Sequence, residues 1–188
     1  MKQAEFKRGA GVLMPVSALP SPYGIGCFSR DAEVFAELAA DMGFSWWQVL
    51  PLTILGAGNS PYSGYSTHAG NFLFINPHSL YEEGLLTAEE AESAKYGGEP
   101  YRVDYAFARE NVTRVLRIAF GRINSEIRQK IDAFAEEESY WLDDYALFMA
   151  LAARYGGDWT KWESGLAFRD AGALAAARKE LADEIAYY

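Results

Sequence analysis

The sequence has one cysteine, two histidines and no long apolar segment, and each shortage excludes a class of protein. Cys27 alone cannot form a disulfide within the chain or supply a cysteine-rich metal centre. No apolar run approaches the roughly 20 residues that cross a bilayer, and the first residues lack the pattern of a secretory signal. We therefore expect an unexported protein of the reducing cytoplasm.

Basic residues are in the minority, since 17 lysines and arginines stand against 26 aspartates and glutamates and the net charge is -9. This sign is wrong for the phosphates of nucleic acid or of an anionic membrane, so neither partner is expected. Apolar side chains make up 50% of the 188 residues, which is enough to build a folded core. The length corresponds to about one domain.

The first part of the chain has an α/β pattern. Residues 11–16 and 45–51 are short runs of apolar, aromatic and β-branched side chains, typical of buried parallel strands. Between them, residues 31–42 carry apolar side chains at helical spacing, and Ser29 or Asp31 can cap the start. The sequence thus predicts a unit of strand, helix and strand.

A long loop and then a series of helices are predicted after this unit. Residues 52–80 are rich in glycine and small polar groups, with a short strand expected at 72–75. Loops of this length are usually functional. Thr87 and Glu90 form a capping-box pattern that opens the helical part. Apolar residues at helical spacing predict further helices around residues 112–123, 127–134, 141–155 and 174–185.

Several motifs that could carry chemistry have simpler explanations. Segment 23–29 follows a strand, but Ser29 replaces the third glycine of a dinucleotide-binding fingerprint. His68 and His78 lack the helical spacing and the cysteine neighbours of a zinc site. Cys27 is expected to pack as a small apolar side chain rather than to act as a nucleophile. Neither a nucleotide site nor a metal site is predicted.

The loop after the second expected strand combines amide, hydroxyl and aromatic side chains, among them Asn59, Ser60, Tyr62 and His68. Amides and hydroxyls can hydrogen-bond sugar hydroxyls, and flat rings can cover the apolar face of a pyranose. The alternative is a structured turn in which these side chains cap their own backbone. No carboxylate ends either expected strand, so the residues show no obvious general acid or nucleophile.

Several longer strings occur in a fixed order along the chain. They are LPSPYGIG at 19–26, WQVLPL at 47–52, GNSPY at 58–62, AGN at 69–71, VDY at 103–105 and YALFMAL at 145–151. With these strings the chain resembles the amylomaltases, also called 4-alpha-glucanotransferases or disproportionating enzymes. The resemblance runs from about Arg8 to the last residue and corresponds to the N-terminal portion of such an enzyme.

The resemblance implies the N-terminal part of a (β/α)8 TIM barrel with a helical insertion. Residues 1–80 would hold the first barrel strands and the loop after strand two, and residues 81–188 the mainly helical insertion. A barrel of this kind takes about 250 residues, so the missing C-terminal part is expected to complete it. This chain alone is expected to be inactive.

The activity implied is retaining transfer of α-1,4-glucan segments between maltooligosaccharides. A carboxylate attacks the anomeric carbon, a carboxylic acid protonates the leaving oxygen, and a sugar hydroxyl replaces water as acceptor. No metal or organic cofactor is implied. The catalytic carboxylates are expected beyond Tyr188, so no residue of this chain is given a catalytic role.

The resemblance also carries over substrate-binding residues. Ser60 and Tyr62 match the family's Ser-Pro-Tyr and are implied to line the acceptor side of the cleft, where Ser60 hydrogen-bonds and Tyr62 stacks. Asn59 is placed with them, at a position where many members carry aspartate. Ala57 stands where some members carry a tyrosine of a second glucan-binding site. Two other functions stay open, a non-catalytic carbohydrate- or protein-binding module and a fragment of an α-amylase-type hydrolase.

Overall fold

The computed structural model describes residues 8–99 and 101–188. Its internal contacts divide the chain into two compact units, Met1–Ala119 and Phe120–Tyr188. Within the described residues, no helix combines the length and the apolar character needed to cross a bilayer. The division expected at residue 80 separates barrel strands from a helical insertion, and it stays a prediction.

The first unit contains the predicted strand, helix and strand. Strand β1 (Gly11–Leu13) pairs in parallel with β2 (Trp46–Gln48), and Val12 lies opposite Trp47. Helix α1 (Arg30–Asp41) connects them, which confirms the α/β start of the chain. A parallel pair needs such a crossover because a tight turn cannot return the chain to the same direction.

The ends of α1 are set by the residues that the sequence suggests. The Ser29 hydroxyl accepts a hydrogen bond from the Asp31 backbone N–H, so Ser29 is the N-cap rather than Asp31. Gly43 follows the helix with φ +86°, a backbone geometry that glycine adopts without a steric penalty. These local signals lie within one helical turn of each end, which is why they are visible in the sequence.

Both strands are shorter and more exposed than predicted. β1 ends at Leu13 rather than at residue 16, because Pro15 has no N–H to extend the ladder and a 3-10 helix, Val16–Ala18, follows. Leu13 and Trp46 belong to the face of the sheet opposite Val12, and they are 53% and 48% exposed. The expected burial on both faces is therefore wrong for the described residues, in which α1 covers one face and the other is open.

The remaining elements of the first unit are helical. They are α2 (Pro77–Glu82), α3 (Ala88–Glu92) and α4 (Tyr105–Phe120). The capping box of Thr87 with Glu90 is confirmed at the start of α3. The strand predicted at 72–75 is wrong: Phe72–Phe74 is a 3-10 helix, because the Asn71 side chain accepts a hydrogen bond from the Leu73 N–H and starts a turn.

The core of the first unit forms where α4 and the connecting segments meet behind the sheet. Its aliphatic side chains come from the segments after the two strands, from the 3-10 helix at 72–74 and from α4, and they include Val16, Leu19, Ile25, Leu55, Leu73 and Val112. On the covered face of the sheet, the Phe35 ring of α1 packs on Trp47 with 5.0 Å between ring centroids. This packing fixes the crossover helix on one side of the sheet.

The second unit consists of helices alone within its described residues. They are α5 (Ser125–Glu137), α6 (Ser139–Tyr155), α7 (Ser164–Ala167), α8 (Ala171–Glu180) and α9 (Ala182–Tyr187). The single helix predicted over 174–185 is two helices, because Leu181 between them leaves helical backbone geometry (φ -103°, ψ 21°). Leu147, Leu151 and Leu181 contribute to its core.

We predict that Gly26→Ala strongly destabilises the first unit. A Cβ atom at Gly26 would lie 2.0 Å from the Val16 carbonyl oxygen, so the backbone itself would have to move. The loss is expected to be about 3 kcal/mol or more, measured as a fall in the thermal unfolding midpoint. The matched control is Gly97→Ala, where no atom lies within 4 Å of the added Cβ. Equal midpoints for the two variants would contradict the prediction.

Candidate functional site

The loop of residues 52–71 is closed at its base by backbone hydrogen bonds. The Ile54 N–H donates to the Ala69 carbonyl at 3.0 Å, and the Asn71 N–H donates to the Leu52 carbonyl at 2.8 Å. The two ends of this long segment are thus held side by side just beyond β2. The loop is a defined structure anchored to the carboxyl end of the sheet.

Close backbone packing within the loop depends on glycine. A Cβ atom at Gly56 would lie 1.7 Å from the Ser63 carbonyl oxygen, and one at Gly64 would lie 2.3 Å from the Ile54 carbonyl oxygen. No other residue leaves room for these contacts. In the sequence these glycines indicate only a flexible loop. In the structure, the absence of a Cβ atom at these positions allows the loop to fold back on itself.

Ser60 and Tyr62 lie at the turn in the middle of the loop. The Tyr62 N–H donates to the Ser60 hydroxyl oxygen at 3.2 Å, so Ser60 caps the local backbone, as the structured-turn interpretation expects. The hydroxyl hydrogen still gives Ser60 a donor. Tyr62 is 75% exposed, so the face of its ring is accessible to a ligand. The same turn thus caps its own backbone through Ser60 and exposes an aromatic ring, that of Tyr62.

Asn59 is held by a residue from a distant part of the chain. Its backbone has φ +58°, in the left-handed region that asparagine tolerates better than most residues. The Arg109 guanidinium, on α4, donates from Nη2 to the Asn59 side-chain oxygen at 3.2 Å. Sequence reasoning missed Arg109, because no local pattern links two residues fifty positions apart.

A small cavity lies beneath this turn, where the segments that follow the two strands meet. Its lining includes Ser17 after β1, Leu52 after β2, Asn59 and Tyr105. A volume of about 40 Å³ holds water but not a sugar ring. This cavity is therefore too small to be a sugar site, and the accessible aromatic surface nearby in the loop is the Tyr62 ring.

The other residues singled out in the sequence lie apart from this turn or inside the core. Cys27 is 1% exposed, and burial raises the pKa of its thiol, which favours packing over nucleophilic attack. His68 is exposed in the loop, whereas His78 lies on α2 with its Nε2 3.6 Å from a Glu82 carboxylate oxygen. Within residues 8–99 and 101–188, no three histidine, cysteine or acidic side chains form a group that could hold a metal ion.

The segment that resembles a dinucleotide fingerprint is part of the core. Residues 23–27 are buried, the Gly26 N–H donates to the Ser17 carbonyl, and the Gly24 carbonyl accepts from the Asp104 N–H. Its backbone groups are thus used within the protein instead of facing a phosphate. The packing agrees with the interpretation that this segment is structural.

Comparison with known proteins gives consistent matches along the chain. The family model for 4-alpha-glucanotransferase matches residues 14–188. A 4-alpha-glucanotransferase of Aquifex aeolicus is 40% identical over 169 residues, covering 89% of this chain and 34% of the relative. The corresponding enzyme of Thermus thermophilus is 38% identical, covering 98% of this chain and 37% of the relative.

The solved structures give the same result. The amylomaltase of Streptococcus agalactiae, in complex with acarbose, matches with a TM-score of 0.90 and 34% identity over 96% of this chain and 37% of that one. In fold, the chain is thus similar to the amylomaltases. It belongs to the 4-alpha-glucanotransferase family. The chain spans about a third of the length of the curated relatives it matches.

We predict that Arg109→Ala loosens the turn of residues 57–60. Removing one hydrogen bond worth about 1 kcal/mol should speed backbone amide hydrogen exchange in this turn by about fivefold. Arg109→Lys should restore part of the protection, and Asn59→Asp should increase it, because a carboxylate accepts a stronger, charge-assisted hydrogen bond. The measurement is hydrogen–deuterium exchange of peptides covering the loop.

The control for this prediction is Arg102→Ala, which removes an exposed side chain of the same type in the same unit. Exchange in residues 57–60 should match the unmodified protein in that variant. If Arg109→Ala also leaves the exchange of these amides unchanged, the contact with Asn59 does not hold the turn.

Proposed function

We propose that the polypeptide containing this chain is a 4-alpha-glucanotransferase, which cleaves an α-1,4 bond of one maltooligosaccharide and joins the released segment to a hydroxyl of another. The observation that carries the proposal is the family match over residues 14–188, supported by enzymes of that name at 38–40% identity. The likeness to an amylomaltase solved with acarbose supports a glucan as the ligand. We place this activity in cytoplasmic starch and maltodextrin metabolism.

The finer fold that we propose is the beginning of a (β/α)8 barrel. The parallel pair with α1 on one face has the layout of two neighbouring barrel strands and their crossover helix. The open face, with Leu13 and Trp46, would then be the barrel interior, which side chains from the remaining strands normally fill. Residues 1–80 would supply these strands, and residues 81–188 the helical insertion.

The proposed role of this part of the chain is to bind the acceptor sugar. Barrel enzymes place their active sites at the carboxyl ends of the strands, which is where the loop of residues 52–71 begins. There the Tyr62 ring would cover a pyranose face, Ser60 would hydrogen-bond a hydroxyl, and Asn59 would be kept in place by Arg109.

The catalytic groups are proposed to lie outside this chain. Retaining transfer needs a nucleophilic carboxylate and a carboxylic acid on opposite sides of the scissile bond. The loop of residues 52–71 contains neither aspartate nor glutamate, so the turn that carries Ser60 and Tyr62 can bind a sugar but supplies no such pair. We therefore propose that the acid and the nucleophile come from later strands of the barrel.

The products formed from maltotriose test the activity. The full polypeptide should convert maltotriose to glucose together with oligosaccharides longer than the substrate, separated by chromatography. An α-amylase-type hydrolase would yield only shorter products, because water is its acceptor. A binding module would leave the maltotriose unchanged, and either of these results would reject the proposal.

We predict that Tyr62→Ala raises the KM for the acceptor sugar by about three- to tenfold, because it removes the stacking surface. The kcat at saturating acceptor should change much less, since the side chain takes no part in bond breaking. Tyr62→Phe keeps the ring and serves as the matched control, with a KM close to that of the unmodified enzyme. The measurement is the rate of transfer to glucose at fixed donor concentration.

Ser60→Ala should show a smaller rise in acceptor KM, about two- to fivefold, because one neutral hydrogen bond is lost. Its effect should be accompanied by faster exchange of the Tyr62 amide, whose acceptor is removed. An acceptor KM that does not move in Tyr62→Ala would show that this turn is not part of the acceptor site.

A further inference from the structure

The second unit contains a cavity that the proposed acceptor site does not use. Its volume is about 300 Å³, at the lower end of the range for small-molecule sites, about 300–1,000 Å³. It lies among α6, α7, α8 and the segment that joins α6 to α7. Leucine side chains form its floor, and Phe148, Trp159 and Trp162 form its aromatic wall.

The aromatic wall is held in place by the backbone around it. The Trp162 indole N–H donates to the Gly156 carbonyl at 2.7 Å, which fixes the orientation of the ring. The Phe148 ring packs against Trp162 with 5.5 Å between centroids. Trp159 begins a 3-10 helix, Trp159–Lys161, that the Asp158 carboxylate caps, and its side chain is 51% exposed. An exposed indole beside a fixed one is a preorganised apolar surface.

The rim of the cavity carries paired polar groups. Asp144 and Arg169 line it, and a carboxylate oxygen of Asp144 lies 2.7 Å from Nη2 of Arg169. The other carboxylate oxygen lies 3.3 Å from Nη2 of Arg178, which is not part of the lining. A guanidinium has five N–H donors and a carboxylate has about four acceptor positions. These contacts therefore leave further donors on Arg169 and acceptor positions on Asp144. Donors and acceptors therefore stand side by side at the edge of an aromatic wall.

The backbone at Arg169 is also unusual. Its φ is +59°, and the turn is closed by hydrogen bonds from the Arg169 N–H to the Leu166 carbonyl and from the Asp170 N–H to the Gly165 carbonyl. Such a position after a helix normally suits glycine. Strained residues of this kind often occur at functional sites. The arginine side chain at this position brings a guanidinium to the rim that a glycine would not supply.

We propose that this cavity is an auxiliary binding site for a glucosyl unit of an α-glucan. A pyranose has an apolar face that fits an indole and adjacent hydroxyls that fit a carboxylate and a guanidinium held together. The choice of a glucan rests on the proposed function, since that is the substrate the enzyme would meet. The site contains no residue of the loop at 52–71, so it is separate from the acceptor turn and from the position of Ala57.

The test is a titration of the full polypeptide with maltoheptaose, by calorimetry, in the Tyr62→Ala background that weakens the acceptor site, at a temperature low enough that no transfer product forms, and fitted with separate dissociation constants for the catalytic cleft and the cavity. Trp159→Ala and Arg169→Gly should each raise the dissociation constant by about five- to tenfold. Phe134→Ala is the matched control, because Phe134 is also 51% exposed in the same unit and does not line the cavity. Its dissociation constant should stay within about twofold.

The Arg169→Gly variant distinguishes a loss of glucan affinity from a loss of folding stability. Glycine suits the positive φ, so this variant should unfold at a temperature no lower than the unmodified protein while still losing affinity. Sorbitol, which has hydroxyls but no pyranose face, should not compete with maltoheptaose. If Trp159→Ala and Arg169→Gly both bind maltoheptaose as well as Phe134→Ala does, the cavity is not a glucan site.

The outcome is independent of the transfer assay. If the polypeptide disproportionates maltotriose but the cavity variants bind maltoheptaose normally, this inference is overturned and the proposed function stands. Binding that depends on Trp159 and Arg169, in a polypeptide that leaves maltotriose unchanged, would support the inference and reject the proposed function.

Discussion

The parallel pairing of Gly11–Leu13 with Trp46–Gln48 is the constraint on which the first unit depends. Because the strands run in the same direction, the chain must cross back through a helix, and both carboxyl ends emerge at the same edge of the sheet. Ser17 and Leu52 meet there around a small cavity, and the loop of residues 52–71 starts from this edge. The pairing therefore determines both the place of α1 and the place of the candidate site.

The loop shows how backbone geometry and side-chain chemistry are combined in one segment. Two backbone hydrogen bonds close its base, and glycines at 56 and 64 permit contacts that any Cβ would block. Ser60 serves the turn itself, while Tyr62 projects outward. The structured-turn and sugar-binding interpretations are thus compatible, because a ring can be presented in a defined orientation only by a turn that is itself rigid.

Local signals predicted most of the first unit, and at residues 72–75 one local hydrogen bond overrode the pattern on which the prediction rested. The cap at Ser29, the stop at Gly43 and the capping box at Thr87 act within one helical turn, so the sequence contains the whole interaction. The run at 72–75 looks like a strand by composition, but a single side-chain hydrogen bond from the preceding asparagine makes it a 3-10 helix. Amino-acid composition does not reveal that this one hydrogen bond decides the local structure over the apolar pattern.

The candidate sites were harder to predict than the elements, because their residues come from distant parts of the chain. The SPY string locates Ser60 and Tyr62, but Arg109 joins them only because α4 packs close to the loop. In the second unit, the tryptophans and the Asp144–Arg169 pair come from separate helices and turns, so spacing along the chain gives no sign that they surround one cavity. Tertiary packing brings such groups together, and the sequence records it only indirectly.

Among the residues that the structure describes, the non-glycine residues with positive φ are Asn59 and Arg169. Each takes part in a guanidinium contact, Asn59 with Arg109 and Arg169 with Asp144, and each lies at the edge of a cavity. A left-handed conformation costs free energy that the rest of the turn must offset. The proposed glucan ligand is neutral, so the net charge of -9 on this chain exerts no long-range repulsion on it.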